Sequence, residues 1–329
     1  MLKLDGMSCP KQVESDKVES PQMNDDVAAA LASNFGFAKV EVDDAGVGQG
    51  QTRRLRVTAD GKKYMAKHLG PSAHDPKFEC SLLQFLKTAS IPVASNVASV
   101  QREPFVVLDG RALVLYEWAE GGVAWPAPPD LAASTGRAIA QMHLASDSMS
   151  VDPIAQMYDL DRLIHRPLRL LEPFSPDKAM FRRLVDLAGE LTNLIEQVAT
   201  SDHAFGPIHG DIHQGNCHFT DNGDLTLIDF SLSGVGYRAY DLTGFLWPMR
   251  DRTIEDPAMA ACCQAFLAGY ESVRQLDAAE QAAIPAFVHA RTLWESGDWI
   301  DTGTGAQNPE EAAKMAPYIV QQLESWLAD

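Results

Sequence analysis

The chain has 329 residues, of which 46% are hydrophobic, so it can bury the core of one large two-lobed domain or of two modest domains. Its 27 lysines and arginines face 45 aspartates and glutamates, and the net charge of −18 opposes binding to the phosphates of a nucleic acid. The five cysteines form no C-x-x-C pair, no apolar run reaches membrane-spanning length, and the N-terminus lacks a signal-peptide core. Composition therefore predicts a cytoplasmic protein without nucleic acid or membrane partners, and it leaves the oligomeric state open.

The first third of the chain is predicted to form an antiparallel sheet that follows a polar tail. Residues 1–24 lack hydrophobic periodicity and are expected to be flexible, and Asp25 or Asp26 is expected to cap a short helix that runs through residue 32 and is ended by Gly36. A further helix is predicted at 76–89, where a proline occupies the first position. Alternating apolar residues between turn signals predict strands at 40–42, 54–58, 63–69, 97–101, 105–108 and 112–117.

The rest of the chain is predicted to be mainly helical. The glycine- and proline-rich segment 121–130 interrupts the strand pattern, so we expect one lobe over residues 25–118 and another over 119–329. A 3.6-residue period predicts helices at 131–145, 176–198, 239–249, 257–270, 278–295 and 310–327. The predicted class is therefore α+β, with a small antiparallel sheet lobe and a mainly helical lobe.

Two segments of the second lobe carry most of the chemical information. Residues 208–216 read IHGDIHQGN, and residues 227–230 read LIDF. Between them an Asn-Gly turn separates two apolar runs, at 217–220 and 225–228, and this pattern predicts a tight hairpin. Such a hairpin would bring the second segment back beside the first.

The polar residues of these segments have the types and the order that phosphoryl transfer needs. That reaction uses one carboxylate to orient or deprotonate the attacking hydroxyl, and further oxygen ligands to hold the Mg²⁺ ions that bridge the phosphates. Asp211 is the candidate catalytic residue, and Asn216 and Asp229 are the candidate metal ligands. The alternative is that these residues only shape turns, but that interpretation does not explain their order, spacing and hairpin together.

The pattern H-G-D-x-x-x-x-N, from His209 to Asn216 and followed by Asp229, resembles that of the aminoglycoside phosphotransferase and choline kinase-like superfamily. The resemblance covers the chain from about residue 36 onward. It implies a protein-kinase-like fold and an ATP- and Mg²⁺-dependent transfer of the γ-phosphate to a hydroxyl of a small molecule, of the amino alcohol, aminoglycoside, amino acid or sugar class. It also implies that His209 and the downstream Asp241 hold the catalytic loop.

The first lobe contains the residues expected to bind the nucleotide. Lys67 has the placement of the lysine that neutralises the α- and β-phosphates, and Glu79 in the next helix is its expected ion-pair partner. Taken alone, a lysine on a half-exposed strand would more simply be a solvated charge. Gly48 and Gly50 are expected to let backbone N–H groups approach the phosphates, although glycine-rich hairpin loops also occur without any ligand.

The segment Glu117, Trp118 and Ala119 lies where the hinge between the lobes runs in the resembled superfamily. Its backbone is therefore expected to bind adenine, unless its side chains simply pack between the lobes. The acceptor is expected beside the C-terminal helices, where an aromatic and acidic cluster would suit a cation. This cluster contains Trp294, Glu295, Asp298 and Trp299. At helical spacing the same residues could equally be core aromatics and a solvated face.

Three other classes are weaker alternatives. Asp211-Ile212-His213 imitates the first motif of a metallophosphoesterase, but the further motifs of such a site are missing. A zinc site at His213, Cys217 and His218 is disfavoured because strand alternation would place the last two on opposite faces. A protein Ser/Thr kinase of the stress-response type and a nucleotide-binding pseudokinase remain as alternatives, although no A-P-E segment is present.

Overall fold

The structure is a computed structural model, and it describes residues 21–48, 51–71, 73–150, 155–198, 203–250, 256–302 and 305–328. Most of the predicted tail, residues 1–20, lies outside this part of the chain. The first helix, α1 (Pro21–Phe35), begins earlier than predicted, so residues 21–24 are helical. A proline is favourable at the first position of a helix, and the capping aspartates that we expected lie inside it. The helix ends before Gly36, as predicted, with φ at +74°.

The first lobe is built on a five-stranded antiparallel sheet with the order β1-β2-β3-β5-β4. Helix α2 (Lys77–Thr88) lies between β3 and β4 in the chain. Buried residues alternate with exposed ones along β2, and Leu55 and Val57 share a core with Val27 and Leu31 of α1. The strands are β1 (Val40–Val47), β2 (Arg53–Ala59), β3 (Lys62–His68), β4 (Val106–Leu108) and β5 (Arg111–Glu117).

The predicted strand at 97–101 is wrong. Only a short stretch touches the sheet there, through an isolated bridge between Asn96 and Tyr116 and a 2.7 Å hydrogen bond from the Val97 N–H to the Leu115 carbonyl. Segment 97–101 would have to pair with the same edge of β5 as β4. Strand β4 already pairs with the first residues of β5, so this edge is occupied.

The second lobe is mainly helical, as predicted, and it also contains short strands. Its helices are α3 (Pro129–Ser146), α4 (Arg166–Leu171), α5 (Lys178–Ile195), α6 (Arg238–Asp241), α7 (Pro257–Glu271), α8 (Ala278–Asp301), α9 (Pro309–Ala312) and α10 (Met315–Leu327). The hairpin of β8 and β9 is formed as predicted, whereas the sheet of β6, β7 and β10 was not foreseen. These strands are β6 (Met157–Tyr158), β7 (Phe205–Ile208), β8 (Cys217–Phe219), β9 (Leu225–Leu227) and β10 (Gly234–Tyr237).

The helix predicted at 239–249 is much shorter in the structure. Helix α6 ends at Asp241, and a separate 3₁₀ turn follows at Trp247–Arg250. Pro248 lacks an N–H and its ring would clash with the carbonyl of residue 244, so an α-helix could not run on to residue 249 as the period predicted. The α+β class and the two-lobed arrangement are nevertheless confirmed. Within the described residues, no helix is long and apolar enough to cross a membrane.

Helices α3 and α7 cross at an unusually short distance. A Cβ built on Gly269 of α7 would lie 2.2 Å from the Ala133 carbonyl oxygen of α3, and one on Gly136 would lie 2.0 Å from the Phe266 carbonyl oxygen. Both distances are far inside contact range, so each glycine is required by packing. The crossing holds α3, with its buried His143, against the lobe's core.

We therefore expect Gly269→Ala to destabilise the protein by about 2 kcal/mol or more, since the two helices must move apart. Thermal unfolding of the purified variant measures the effect. Gly189→Ala is the matched control, because Gly189 lies in α5 and nothing would be within 4 Å of its added Cβ. The control should gain up to about 1 kcal/mol from helix propensity. Equal unfolding temperatures for Gly269→Ala and the wild type would contradict the close crossing.

Candidate active site

The loop that carries Asp211 begins where strand β7 ends, at Ile208. Gly210 has a φ of +82°, and a Cβ there would lie 2.0 Å from the Leu232 carbonyl oxygen, so only glycine fits. His209 accepts the Asp211 N–H at Nδ1 (3.3 Å), and its Nε2 lies 3.0 Å from the Ile228 carbonyl oxygen as the donor. Both ring nitrogens of His209 are therefore engaged in hydrogen bonds to the backbone.

Buried Asp241 receives two backbone N–H groups of this loop. Its Oδ2 accepts from His209 (2.8 Å), and its Oδ1 accepts from Gly210 (2.7 Å). His143 of α3 lies 3.0 Å from the same carboxylate and 2.8 Å from the Tyr270 hydroxyl of α7. Burial lowers the pKa of His143 to about 4, because it outweighs the hydrogen bond to Asp241. Burial alone would raise the pKa of Asp241, but the bonds from His143 and His209 lower it.

Asp211 forms an ion pair that the sequence did not reveal. Arg291 of α8 donates from Nη2 to its Oδ1 at 2.5 Å, and from Nε to Glu295 at 2.8 Å. The guanidinium is 2% exposed, and burial alone would lower the pKa of Arg291; the charges of Glu295 and Asp211 raise it instead. The Oδ2 of Asp211 lies 3.7 Å from Nε2 of His213. One carboxylate oxygen is therefore fixed by a buried cation.

The predicted metal ligands lie on either side of the β8–β9 hairpin. Asn216 donates from Nδ2 to the Asp211 carbonyl at 2.9 Å. This hydrogen bond to the loop uses the amide nitrogen and not the amide oxygen, which is the atom that could bind a metal. Asp229 accepts at Oδ1 from Lys67 (2.7 Å) and from Ser231 (2.6 Å). It adopts the left-handed region with φ at +62°, which is strained for a residue other than glycine. Such strain is common at functional sites.

The charge of Asp229 is set by its partners. Burial alone would raise its pKa, but the ion pair and hydrogen bond with Lys67 and the hydrogen bond from Ser231 outweigh burial and hold the pKa well below its usual range. Lys67 is buried, and burial would lower its pKa, yet the charges of Asp229 and Glu79 raise it. Both groups are therefore charged at neutral pH.

The predicted direct ion pair between Lys67 and Glu79 is not formed. Lys67 bonds to Asp229 across the lobes, while Glu79 accepts the Tyr116 hydroxyl at 2.8 Å. The ammonium of Lys67 also lies 5.3 Å from the Tyr116 ring. Glu79 is 6% exposed, and its burial raises its pKa despite the charge of Lys67. The reason for the difference is that Asp229, which lies far away in the sequence, offers a closer carboxylate.

One cavity of about 270 Å³ brings most of these groups together. Its lining includes Gly48, Lys67, Glu79, Asp211 and Asp229. The predicted phosphate-loop residue Gly50 lies outside the described residues. The predicted hinge residues do not line this cavity. Within that hinge, the Glu117 carboxylate pairs with Lys87 at 2.5 Å, the Trp118 ring lies 5.8 Å from the Lys63 ammonium, and Ala119 is half-buried.

The four predicted acceptor residues separate into two groups. Asp298 lines the cleft cavity, and Trp294 lines a smaller adjoining cavity of about 120 Å³. Glu295 instead pairs with Arg291, and Trp299 packs against the core and Gly305. The helix period of α8 could not distinguish these positions, since neighbouring faces of one helix meet the cavity, the ion pair and the core.

The donor set at the cleft suits a hard cation. A carboxylate of Asp229 and the amide oxygen of Asn216 are the oxygen ligands that Mg²⁺ accepts, with the remaining positions left to phosphates and water. Among the described residues there is no group of three or more His, Cys, Asp or Glu that could hold a metal ion alone. His213, Cys217 and His218 accordingly form no such group in the described part of the chain.

Two contacts of the site were missed in the sequence. Arg291 lies four residues before Glu295 on a predicted helix, which signals a helical ion pair, but nothing in the sequence shows that it reaches Asp211. Ser231, which stands where protein kinases have the glycine of D-F-G, hydrogen-bonds to Asp229.

The two-lobed arrangement, with a loop carrying Asp211 and Asn216 and a following Asp229, defines a protein-kinase-like fold. The chain belongs to the phosphotransferase enzyme family, whose model matches residues 43–276. This membership confirms the family resemblance seen in the sequence.

Individual proteins agree with this assignment. An uncharacterized protein of Deinococcus radiodurans is 31% identical over 224 residues, which are 67% of this chain and 65% of the relative, slightly less than two thirds of its length. Homoserine kinase of Rhodopseudomonas palustris is 29% identical over 240 residues, or 70% of this chain and 71% of that one. Amicoumacin kinase hAmiN, solved with AMP-PNP and Ca²⁺, has the same fold, with a TM-score of 0.72, 21% identity and 94% coverage of both chains.

The ion pair of Asp229 predicts a pH dependence of stability. The pKa of Asp229 is lower in the folded than in the unfolded chain, where it is about 3.9, so its stabilisation is complete above about pH 5 and is lost as the pH falls through the folded pKa. We expect the difference in thermal stability between the wild type and Asp229→Asn to be constant from about pH 5 to 8 and to shrink below about pH 4. A difference that does not change with pH would contradict the pair with Lys67.

Proposed function

We propose that this protein transfers the γ-phosphate of ATP, with Mg²⁺, to a hydroxyl of a small molecule. The observation that carries the proposal is the meeting of Lys67, Asp211 and Asp229 in one cleft cavity. A cation for phosphates, a carboxylate for the attacking hydroxyl and a carboxylate for the metal are the groups that phosphoryl transfer requires. Membership of the phosphotransferase family supports the same reaction.

In this proposal each residue of the active site has a defined role in the reaction. Lys67 binds the α- and β-phosphates, and the backbone of the loop containing Gly48 and Gly50 closes over the phosphates. Asp211 orients the acceptor hydroxyl for in-line attack and takes up its proton, while Arg291 keeps the carboxylate in place. Asn216 and Asp229 would hold Mg²⁺, which neutralises phosphate charge when bound.

Further residues would support these groups. Glu79 keeps negative charge near Lys67 through the Tyr116 bond, and the backbone of Glu117, Trp118 and Ala119 is the proposed adenine contact. His209 and Asp241 hold the Asp211 loop through the bonds described above. Trp294 and Asp298 would contact the acceptor, because Asp298 lines the cleft cavity and both residues line the adjoining cavity.

The acceptor is proposed to be small, from the amino alcohol, aminoglycoside, amino acid or sugar class. The cleft cavity of about 270 Å³ has a size suited to a small molecule beside the catalytic loop. A homoserine kinase among the relatives and an amicoumacin kinase among the structures support a small hydroxyl acceptor. The proposed setting is the cytoplasm, because the four cysteines described by the structure are free thiols.

The test is a thermal-shift titration with ATP and with GTP, each with and without Mg²⁺, followed by an ADP-release screen of the four acceptor classes. We expect Mg²⁺-dependent stabilisation by nucleotide and ADP release with one class. Asp211→Asn should lower turnover about a hundredfold to ten-thousandfold and leave the nucleotide shift intact, because Asp211 contacts the acceptor. Asp229→Asn should instead weaken the Mg²⁺-dependent part of the shift.

Asp221→Asn is the matched control, since Asp221 is exposed in the turn between β8 and β9, and it should leave both readouts unchanged. Near-normal turnover of Asp211→Asn would reject the role of Asp211. No stabilisation by any nucleotide would reject the proposed function as a whole.

A further inference from the structure

The cavity next to the cleft contains an arginine, Arg162, that forms no ion pair with a carboxylate of the described residues. This cavity, of about 120 Å³, is lined by Arg162, Arg166, Trp294, Asp298, Asp301 and others, and it shares His74, Asp298 and Thr302 with the cleft cavity. The two spaces therefore meet beside the C-terminal end of α8. A small acceptor bound at Asp211 can extend into this second space.

Arg162 differs from the other arginines around it. Arg166 pairs with Asp301 at 2.5 Å, Arg169 pairs with Asp161 at 2.9 Å, and Arg291 pairs with Asp211. Arg162 donates from its side chain to the neutral Gln156 at 2.6 Å, and no described carboxylate lies within ion-pair distance of it. Its Nε is buried and has no hydrogen-bond partner in the described part of the protein. An N–H donor in this state is costly unless a ligand or solvent satisfies it.

The guanidinium of Arg162 is also held in position. Its central carbon lies 4.5 Å from the Tyr158 ring and 5.9 Å from the Trp294 ring. The guanidinium carbon of Arg291, which binds Asp211, lies 5.9 Å from the same Trp294 ring. The Trp294 ring is therefore near both the arginine that binds Asp211 and the arginine of the second cavity. A guanidinium fixed by stacking loses little freedom when it binds an anion.

Arg162 also lies in an unusual backbone conformation, a π-helical turn. Residues Asp161–His165 form a single π-helical turn directly before α4, and the Arg166 N–H bonds to the Asp161 carbonyl. Such widened turns are rare and concentrate at functional sites. The turn places Arg162 on the cavity while Leu163 and Ile164 are buried in the core.

We infer that this second cavity is a carboxylate subsite, in which Arg162 binds the carboxylate of a hydroxy-amino-acid acceptor whose hydroxyl lies at Asp211. A planar guanidinium matches a carboxylate through paired N–H donors. Asp298 lies on the boundary of the two cavities and provides a carboxylate on the side of the acceptor's ammonium group. The inference rests on the proposed phosphotransferase function and narrows its acceptor class.

Matched acceptors isolate the carboxylate. Serine and ethanolamine, homoserine and 3-amino-1-propanol, and threonine and 1-amino-2-propanol are pairs that differ only by a carboxylate. With Mg²⁺ and ATP, the wild type should show the higher kcat/KM for the amino acid in the best pair. Arg162→Gln should lower kcat/KM for that amino acid roughly tenfold to a hundredfold, mainly through KM, and leave its decarboxylated partner unchanged.

Arg169→Gln is the control, because Arg169 is 61% exposed and pairs with Asp161 at the surface, and it should change neither acceptor. Arg162→Lys keeps the charge without the paired donors, so it should give an intermediate loss for the amino acid alone. A wild type that prefers the decarboxylated member of every pair would overturn the inference. So would an Arg162 variant that weakens both members equally.

Calorimetric binding of the three amino acids separates this inference from the proposed function. If no acceptor is phosphorylated but an amino acid binds the wild type and not Arg162→Gln, the subsite stands and the phosphotransferase proposal fails. If amino alcohols are phosphorylated while none of the amino acids binds at millimolar concentration, the function stands and the subsite is rejected.

Discussion

The buried carboxylate of Asp241 is the constraint on which the candidate site depends. It is 1% exposed, and it accepts the backbone N–H groups of His209 and Gly210 directly before Asp211. Each such bond lost from a buried group costs about 1–3 kcal/mol, so the loop cannot readily leave this position. His143 fixes the same carboxylate from α3, and the close crossing of α3 and α7 fixes His143 in turn. The geometry of the loop that carries Asp211 therefore depends on the packing of α3 against α7.

A second interaction joins the two lobes. Lys67 lies on β3 of the sheet lobe, and Asp229 follows the β8–β9 hairpin of the helical lobe. Their ion pair crosses the cleft at 2.7 Å, and it replaces the pairing of Lys67 with Glu79 that a nucleotide-binding lobe was expected to contain. Tyr116 holds Glu79 close enough for its charge still to raise the pKa of Lys67. The lysine is thus held by Asp229 of the helical lobe, and Glu79 of its own lobe acts on it only through its charge.

The part of the cleft beside α8 has both signs of charge, although the chain as a whole carries a net charge of −18. Arg291 is neutralised by Asp211 and Glu295, whereas Arg162 is stacked on aromatic rings without a carboxylate partner among the described residues. The sequence of the C-terminal helices suggested either an aromatic and acidic cluster suited to a cation or core aromatics beside a solvated face. The structure adds a fixed guanidinium there, which is the basis of the proposed carboxylate subsite.

The sequence by itself determined the features that depend on residues close together in the chain. These include the α+β class, the hairpin of β8 and β9, the end of α1 at Gly36 and the spacing of Asp211, Asn216 and Asp229, because short loops and turns obey local backbone rules. Only the tertiary structure decided which distant charges meet. Lys67 pairs with Asp229 and not with Glu79, and Arg291 reaches Asp211, because tertiary packing sets the distance between residues that are far apart in the sequence. Competition for the edge of β5 and the ring of Pro248 likewise overrode local patterns that predicted a strand and a longer helix.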